Sequence, residues 1–246
     1  YSGFLLHGVT GSGKTEVYLR AIEATLKMGQ GAIILVPEIA LTIELRQRFQ
    51  ERFGDHVAIL HSAMPESRRA AAWDKVLAGQ TKVVVGARSA VFAPLSNLGL
   101  IVVDEEHETT YKQSDGLRYN ARDLALVRGT IAKCPVVLGS ATPSLESFQN
   151  AHDKKLMYLG LPNRVQARPL PEVTFVDLRY SESVSGERLF SLVLRDALRQ
   201  TIDRGESAIL FLNRRGFGRF IVCKTCGTAI QCPNCSITLT HHMRPE

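Results

Sequence analysis

Between an apolar run at residues 4–6 and an amphipathic stretch that begins at Thr15, the residues Gly8, Val9, Thr10, Gly11, Ser12, Gly13, Lys14 and Thr15 spell G-x-x-x-x-G-K-[ST]. Glycines at that spacing let main-chain N–H groups curl around phosphates and hand them to a helix N-terminus. Lys14 is then expected to reach the β- and γ-phosphates of a nucleotide, and the Thr15 hydroxyl to ligate Mg²⁺. Such a loop needs a metal-binding carboxylate at the tip of a neighbouring strand. The stretch L-I-V-V-D-E-E-H supplies one, since four apolar residues lead directly into Asp104, expected to hold Mg²⁺. Glu105 would follow as the base or water-positioning group for attack on the γ-phosphate. The blander alternatives are a plain glycine turn and a charged strand-to-loop junction. A third stretch, G-S-A-T-P-S at residues 139–144, places Ser140 and Thr142 after a strand-like run, where small hydroxylated residues can flank a nucleotide crevice and sense the γ-phosphate.

A second chemistry is written 200 residues later. Cys223, Cys226, Cys232 and Cys235 form two C-x-x-C pairs, the knuckle spacing that presents thiolates to tetrahedral Zn²⁺. No thioredoxin-like pattern surrounds them, so a redox role is the weaker alternative. Only five residues separate the pairs, against roughly 15 to 20 in ribbon-type sites, which leaves open whether both pairs hold one ion. Four thiolates leave no open coordination position, so the zinc would be structural and would present a binding surface. His241 and His242 could complete a metal site but read more simply as solvent-facing, and Cys134, alone before an apolar run, as a small buried hydrophobe.

To bring the first set of residues together, the chain has to be wound as α/β. Apolar runs at 4–6, 31–37, 57–62, 82–86, 100–104 and 135–140 alternate with helical patterns such as 15–28, the signature of buried parallel strands with crossover helices. The expected fold is α/β, a P-loop NTPase with a doubly wound parallel sheet, over residues 1–165. Residues 166–186 read as a connector plus one strand at 173–178, and residues 187–219 as the start of a second α/β lobe, with a helix stopped by Gly205 and a strand at 207–213. Residues 220–246 are an incomplete zinc-binding region inserted there. The chain opens on Tyr1 and closes on mid-domain texture, so it is expected to be a piece of something longer.

No run approaches the roughly 18 apolar residues of a membrane span, and no secretory pattern opens the chain, so a cytoplasmic location and no membrane partner are expected. The net charge of +6 is uneven: residues 1–150 carry 16 basic and 15 acidic side chains, residues 151–246 carry 14 and 9. That bias suits a polyanionic partner, although a solvated basic surface would give the same numbers.

In this order, G-V-T-G-S-G-K-T, D-E-E-H and S-A-T resemble the motifs of the first RecA-like lobe of superfamily 2 helicases, D-E-E-H standing as a DEAH-type box. L-V-P-E-I-A-L-T (35–42), G-A-R-S-A-V-F-A-P-L (86–95), the segment 104–125, and F-L-N-R-R-G-F (211–217) followed by paired cysteines extend the likeness to the bacterial replication-restart helicases over essentially the whole chain. The resemblance implies ATP as the nucleotide and 3′ to 5′ DNA unwinding in restart of stalled forks and primosome assembly. The partners it implies are single-stranded and forked DNA, primosome proteins and single-strand-binding protein, at the nucleoid. It also implies that Arg88 and Ser89 lie near DNA phosphates, and that residues 108–122 form an aromatic-rich loop coupling DNA contact to hydrolysis. Tyr111 and Tyr119 would stack on bases there, with Arg122, Ser140 and Thr142 in the coupling path. Two zinc ions are implied, each cysteine pair completed by another farther downstream. The arginine of the second lobe's late motifs is missing, so the chain is expected to bind ATP and to hydrolyse it poorly. Two other readings stand beside the motor: a zinc-containing scaffold with ATP as a conformational switch, and another superfamily 2 DNA translocase.

Overall fold

The computed structural model describes residues 2–37, 40, 42–61, 64–165, 171–178 and 190–211. The chain divides into two compact units, Tyr1–Pro169 and Leu170–Glu246. In the first unit the elements run β1 (Gly3–Gly8), α1 (Lys14–Lys27), β2 (Gly31–Leu35), α2 (Ile43–Phe53), β3 (Val57–Leu60), α3 (Glu66–Leu77), β4 (Val83–Gly86), β5 (Leu98–Val103), β6 (Lys112–Gln113), β7 (Tyr119–Asn120), α4 (Ala121–Ala132), β8 (Val136–Ser140), α5 (Leu145–His152) and β9 (Met157–Leu161). Seven strands form one sheet in the order β3-β4-β2-β5-β8-β1-β9, with every neighbouring pair parallel. The short β6 and β7 pair antiparallel with each other.

Burial explains why these runs are strands. Every residue of β2, β4 and β5 is buried, as befits a parallel sheet covered on both faces, where a continuous apolar run replaces alternation. Successive side chains still part to opposite faces. Leu5, Ile33 and Leu35 join one core with Val76 of α3 and Ala121 and Ala125 of α4. Leu6, Ile34 and Val36 join the other, with Tyr18 and Ile22 of α1 and Phe49 and Phe53 of α2. Each fully buried Leu or Ile contributes about 1.5–3 kcal/mol relative to exposure.

Helix ends follow side-chain chemistry. Thr42, Asn120 and Ser144 cap α2, α4 and α5, their side-chain oxygens accepting from Leu45 N, Arg122 N and Ser147 N. Because every crossover returns to a parallel strand, the carboxyl ends of all seven strands share one edge of the sheet. Gly8, Asp104 and Ser140 sit at the ends of β1, β5 and β8 on that edge.

The structure departs from the sequence expectations in three places. β9 was not anticipated, because M-Y-L-G-L follows a lysine pair and carries a glycine. In the second unit, α6 (Leu192–Asp203) is the expected helix, capped by Ser191, with Gly205 at φ 69° beyond its end. Residues 171–178 and 207–211, however, contain no strand. Apolar content marks a face but not a hydrogen-bonding partner, and a strand exists only as half of a pair.

Candidate active site

The phosphate loop is shaped by its own main chain. Ser12 N donates to Val9 O at 2.9 Å, Val9 N to Leu161 O at 3.2 Å, and Val165 N to Gly11 O at 3.1 Å, so β9 and the residues after it fasten the loop. Gly13 is the N-cap of α1 at φ 91° and provides no side-chain cap. That left-handed conformation suits glycine; Glu16 N donates to Gly13 O at 3.0 Å, and the N–H groups of Lys14 and Thr15 precede the first intrahelical bond and are left as donors. Lys14 is 9% exposed, and its Nζ donates to Gly8 O at 2.9 Å and lies 3.9 Å from Glu105 Oε1. One hydrogen bond to Gly8 leaves two ammonium protons to donate.

A cavity of about 660 Å³ opens over this loop, lined by Lys14, Thr15, Asp104 and Glu105 together with Arg48 and Arg52 of α2. Ser12 Oγ is buried without a hydrogen-bond partner among the described residues. Open helix N–H donors, a buried hydroxyl lacking a partner and an ammonium converge on one cavity, and this is a donor set that phosphate oxygens satisfy. The residues present therefore fit a nucleotide polyphosphate.

The carboxylates face the loop across an intervening strand. The expectation of adjacent strands is corrected here, since β8 lies between β5 and β1. Asp104 N donates to Leu35 O at 2.8 Å, continuing the β5 register. Tyr18, one helical turn beyond Lys14, crosses the tip of β8 and donates its hydroxyl to Asp104 Oδ1 at 2.9 Å. The crossing requires glycine below it: a Cβ on Gly139 would stand 1.7 Å from the Tyr18 hydroxyl oxygen.

Burial raises the Asp104 carboxyl above the ordinary aspartate range, and the Tyr18 hydrogen bond works against that rise. Burial and the nearby carboxylates push the Tyr18 and Tyr111 phenols far up, so both remain donors. Tyr111 donates to the main-chain oxygen of Asp104 at 2.6 Å. Glu105 follows at φ 45°, a left-handed conformation unusual for a residue with a Cβ. Thr15 and Asp104 would hold Mg²⁺, which supplies positive charge against the phosphates. Glu105, beside Lys14, is placed to orient or deprotonate a water.

The rest of D-E-E-H is tied to the β8 edge. His107 Nδ1 lies 2.8 Å from Ser140 Oγ, which also accepts from Thr142 N at 2.9 Å. The Glu106 carboxylate is buried and accepts from Ser144 N at 2.7 Å, Ser144 Oγ at 3.0 Å, Ser147 Oγ at 2.7 Å and Arg122 at 3.4 Å. Arg122 therefore sits at a joint between α4, α5 and the D-E-E-H turn, and also donates to Ser144 Oγ at 2.9 Å. Sequence reasoning missed Tyr18, Glu106 and His107. The last two lay inside the motif, and Tyr18 follows Lys14 at i+4, on the same helix face.

A model of the DEAD/DEAH box helicase family matches residues 2–151, which carry the phosphate loop, Tyr18, the D-E-E-H turn and Ser140 to Ser147. The chain belongs to the DEAD/DEAH box helicase family. Among its relatives is the replication restart protein PriA of Bacillus subtilis (strain 168), 49% identical over 239 residues, 97% of this chain and 30% of that protein. The PriA proteins of Synechocystis sp. and Haemophilus influenzae are 46% and 43% identical, over 98% of this chain and 30% and 33% of those proteins. The chain thus spans about a third of the length of these curated relatives.

The residues expected to touch DNA fall into two groups. Arg88 donates to the carbonyls of Thr110 at 3.1 Å and Lys112 at 3.0 Å, bracketing Tyr111. Tyr119 meets Phe92 edge to face at 5.1 Å. Arg88, Ser89 and Tyr119 line a second cavity of about 510 Å³ with Trp73 and Phe92. Base stacking by Tyr111 is corrected: its ring is 1% exposed and its hydroxyl is spent on Asp104, so no base can reach its face. Cys223, Cys226, Cys232 and Cys235, the expected zinc ligands, lie outside the described residues.

Proposed function

We propose that this chain is the ATP-binding part of a DNA helicase that restarts stalled replication forks. The observation that carries the proposal is the Lys14 ammonium 3.9 Å from Glu105, with Asp104 held beside them, on a cavity that fits a polyphosphate. Gly8 to Thr15 bind the phosphates of ATP, Thr15 and Asp104 hold Mg²⁺, and Glu105 activates water. Hydrolysis alternates the grip on single-stranded DNA, moving the protein 3′ to 5′. Arg88, Ser89 and Tyr119 contact the strand, while Arg122, Ser140 and Thr142 couple the strand to the D-E-E-H turn. The four cysteines hold structural zinc, and the partners are forked DNA, primosome proteins and single-strand-binding protein, at the nucleoid of the bacterial cytoplasm. The likeness to proteins named for replication restart supports this reading.

The test is binding of a fluorescent, non-hydrolysable ATP analogue to the chain with Mg²⁺, and ATP turnover in full-length protein with and without single-stranded DNA. Saturable binding that Lys14→Ala abolishes, and turnover stimulated by DNA, are expected. No measurable nucleotide affinity, or turnover indifferent to DNA, rejects the reading.

A further inference from the structure

We propose that Tyr18 is a positioning residue for the divalent cation: its hydroxyl, carried from α1 across the tip of β8, holds Oδ1 of Asp104 so that the second carboxylate oxygen is aimed at the cation beside the phosphate loop. The inference rests on the nucleotide reading above and adds to it a residue outside both the phosphate loop and the D-E-E-H turn.

Three observations carry it. Tyr18 is 2% exposed and its hydroxyl donates to Asp104 Oδ1 at 2.9 Å. Its path is reserved, because the space a Cβ would take on Gly139 is filled by the phenol oxygen itself, at 1.7 Å. And Tyr18 and Lys14 belong to the same helix, α1, so the element that presents the ammonium to the phosphates also fixes the carboxylate across the sheet edge. An aspartate's terminal torsion is broad and soft. A carboxylate that must ligate a cation in one orientation therefore needs a second hydrogen bond to set it, as ligating carboxylates generally have. The phenol meets that need as a hydrogen-bond donor to Oδ1.

The hydroxyl is also the right kind of group for the position. It donates to one oxygen without bringing charge, so it orients Asp104 and leaves its negative charge for the cation. A lysine or arginine there would compete with the cation electrostatically.

Tyr18→Phe removes the hydroxyl and keeps the ring that packs in the core. The readout is the Mg²⁺ midpoint for binding of the fluorescent ATP analogue, alongside its affinity in EDTA. The midpoint is expected to rise about tenfold, the lower end of what loss of a ligand-orienting partner costs in metal affinity, with affinity in EDTA unchanged. Gly139→Ala pushes the same hydroxyl away from Asp104 while retaining it, and is expected to shift the midpoint in the same direction. A Tyr18→Phe chain that binds with the wild-type Mg²⁺ midpoint overturns the inference. So does a Tyr18→Phe chain that loses affinity equally with and without Mg²⁺, since that is the mark of a merely structural residue. If Tyr18→Phe does not fold, a wild-type midpoint in Gly139→Ala overturns it instead. A wild-type chain that binds no nucleotide in either condition rejects the nucleotide reading itself, a result distinct from both.

Discussion

The Ser147 hydroxyl donates to the Glu106 carboxylate at 2.7 Å, fastening the third residue of the D-E-E-H turn to the first turns of α5. Both oxygens of Glu106 accept, and every partner is a donor: the Ser144 N–H and hydroxyl, the Ser147 hydroxyl and the Arg122 guanidinium. Glu106→Gln puts an NH₂ group against a donor whichever way the amide turns. We expect it to destabilise the first unit by roughly 1–3 kcal/mol, the cost of burying an unsatisfied polar group. Urea unfolding followed through Trp73, the single tryptophan, measures it.

Asp104→Asn separates stability from function. Burial raises the Asp104 carboxyl above its ordinary value. A carboxyl whose folded value exceeds its unfolded value binds more protons folded than unfolded, so the native state loses stability as pH rises through that interval. The neutral amide avoids the penalty and still accepts from Tyr18. The expected outcome is a melting temperature equal to or above wild type at neutral pH without nucleotide, together with loss of Mg²⁺-dependent nucleotide binding. A clearly lower melting temperature contradicts the burial argument.

Tyr119 and Tyr111 are expected to part company in DNA binding. Tyr119 lines an open aromatic cavity with Phe92 and Trp73, so Tyr119→Ala should weaken single-stranded DNA binding by roughly 1–3 kcal/mol, the worth of one stacked base. Tyr111→Phe should leave DNA affinity at the wild-type value, because the ring is buried and its hydroxyl faces Asp104. Fluorescence anisotropy with a short oligonucleotide distinguishes them, and equal losses would contradict the assignment.

Cys134 should resist alkylation until the first unit unfolds. It is 2% exposed, and burial raises its thiol above the ordinary value, which depletes the reactive thiolate. Iodoacetamide labelling at neutral pH, read by mass spectrometry on the peptide that carries Cys134, is expected to rise only in denaturant.

The sequence by itself determined the class of fold and picked out residues that the structure gathers on one cavity. The run Gly8 to Thr15, the carboxylates after residues 100–103 and the alternation of apolar strands with helical patterns are local signals, each readable because neighbouring residues in the chain are neighbours in the element they form. Tertiary structure alone decided the rest. That β8 stands between β1 and β5, that Tyr18 passes over Gly139 to reach Asp104, and that Tyr111 turns inward to Asp104 instead of outward to a base all depend on which strands pair. β9 emerged, and the strand expected at 173–178 and the described part, 207–211, of the one expected at 207–213 did not, for the same reason. A ladder needs a partner contributed from a distant part of the chain, and no local pattern of side chains names it.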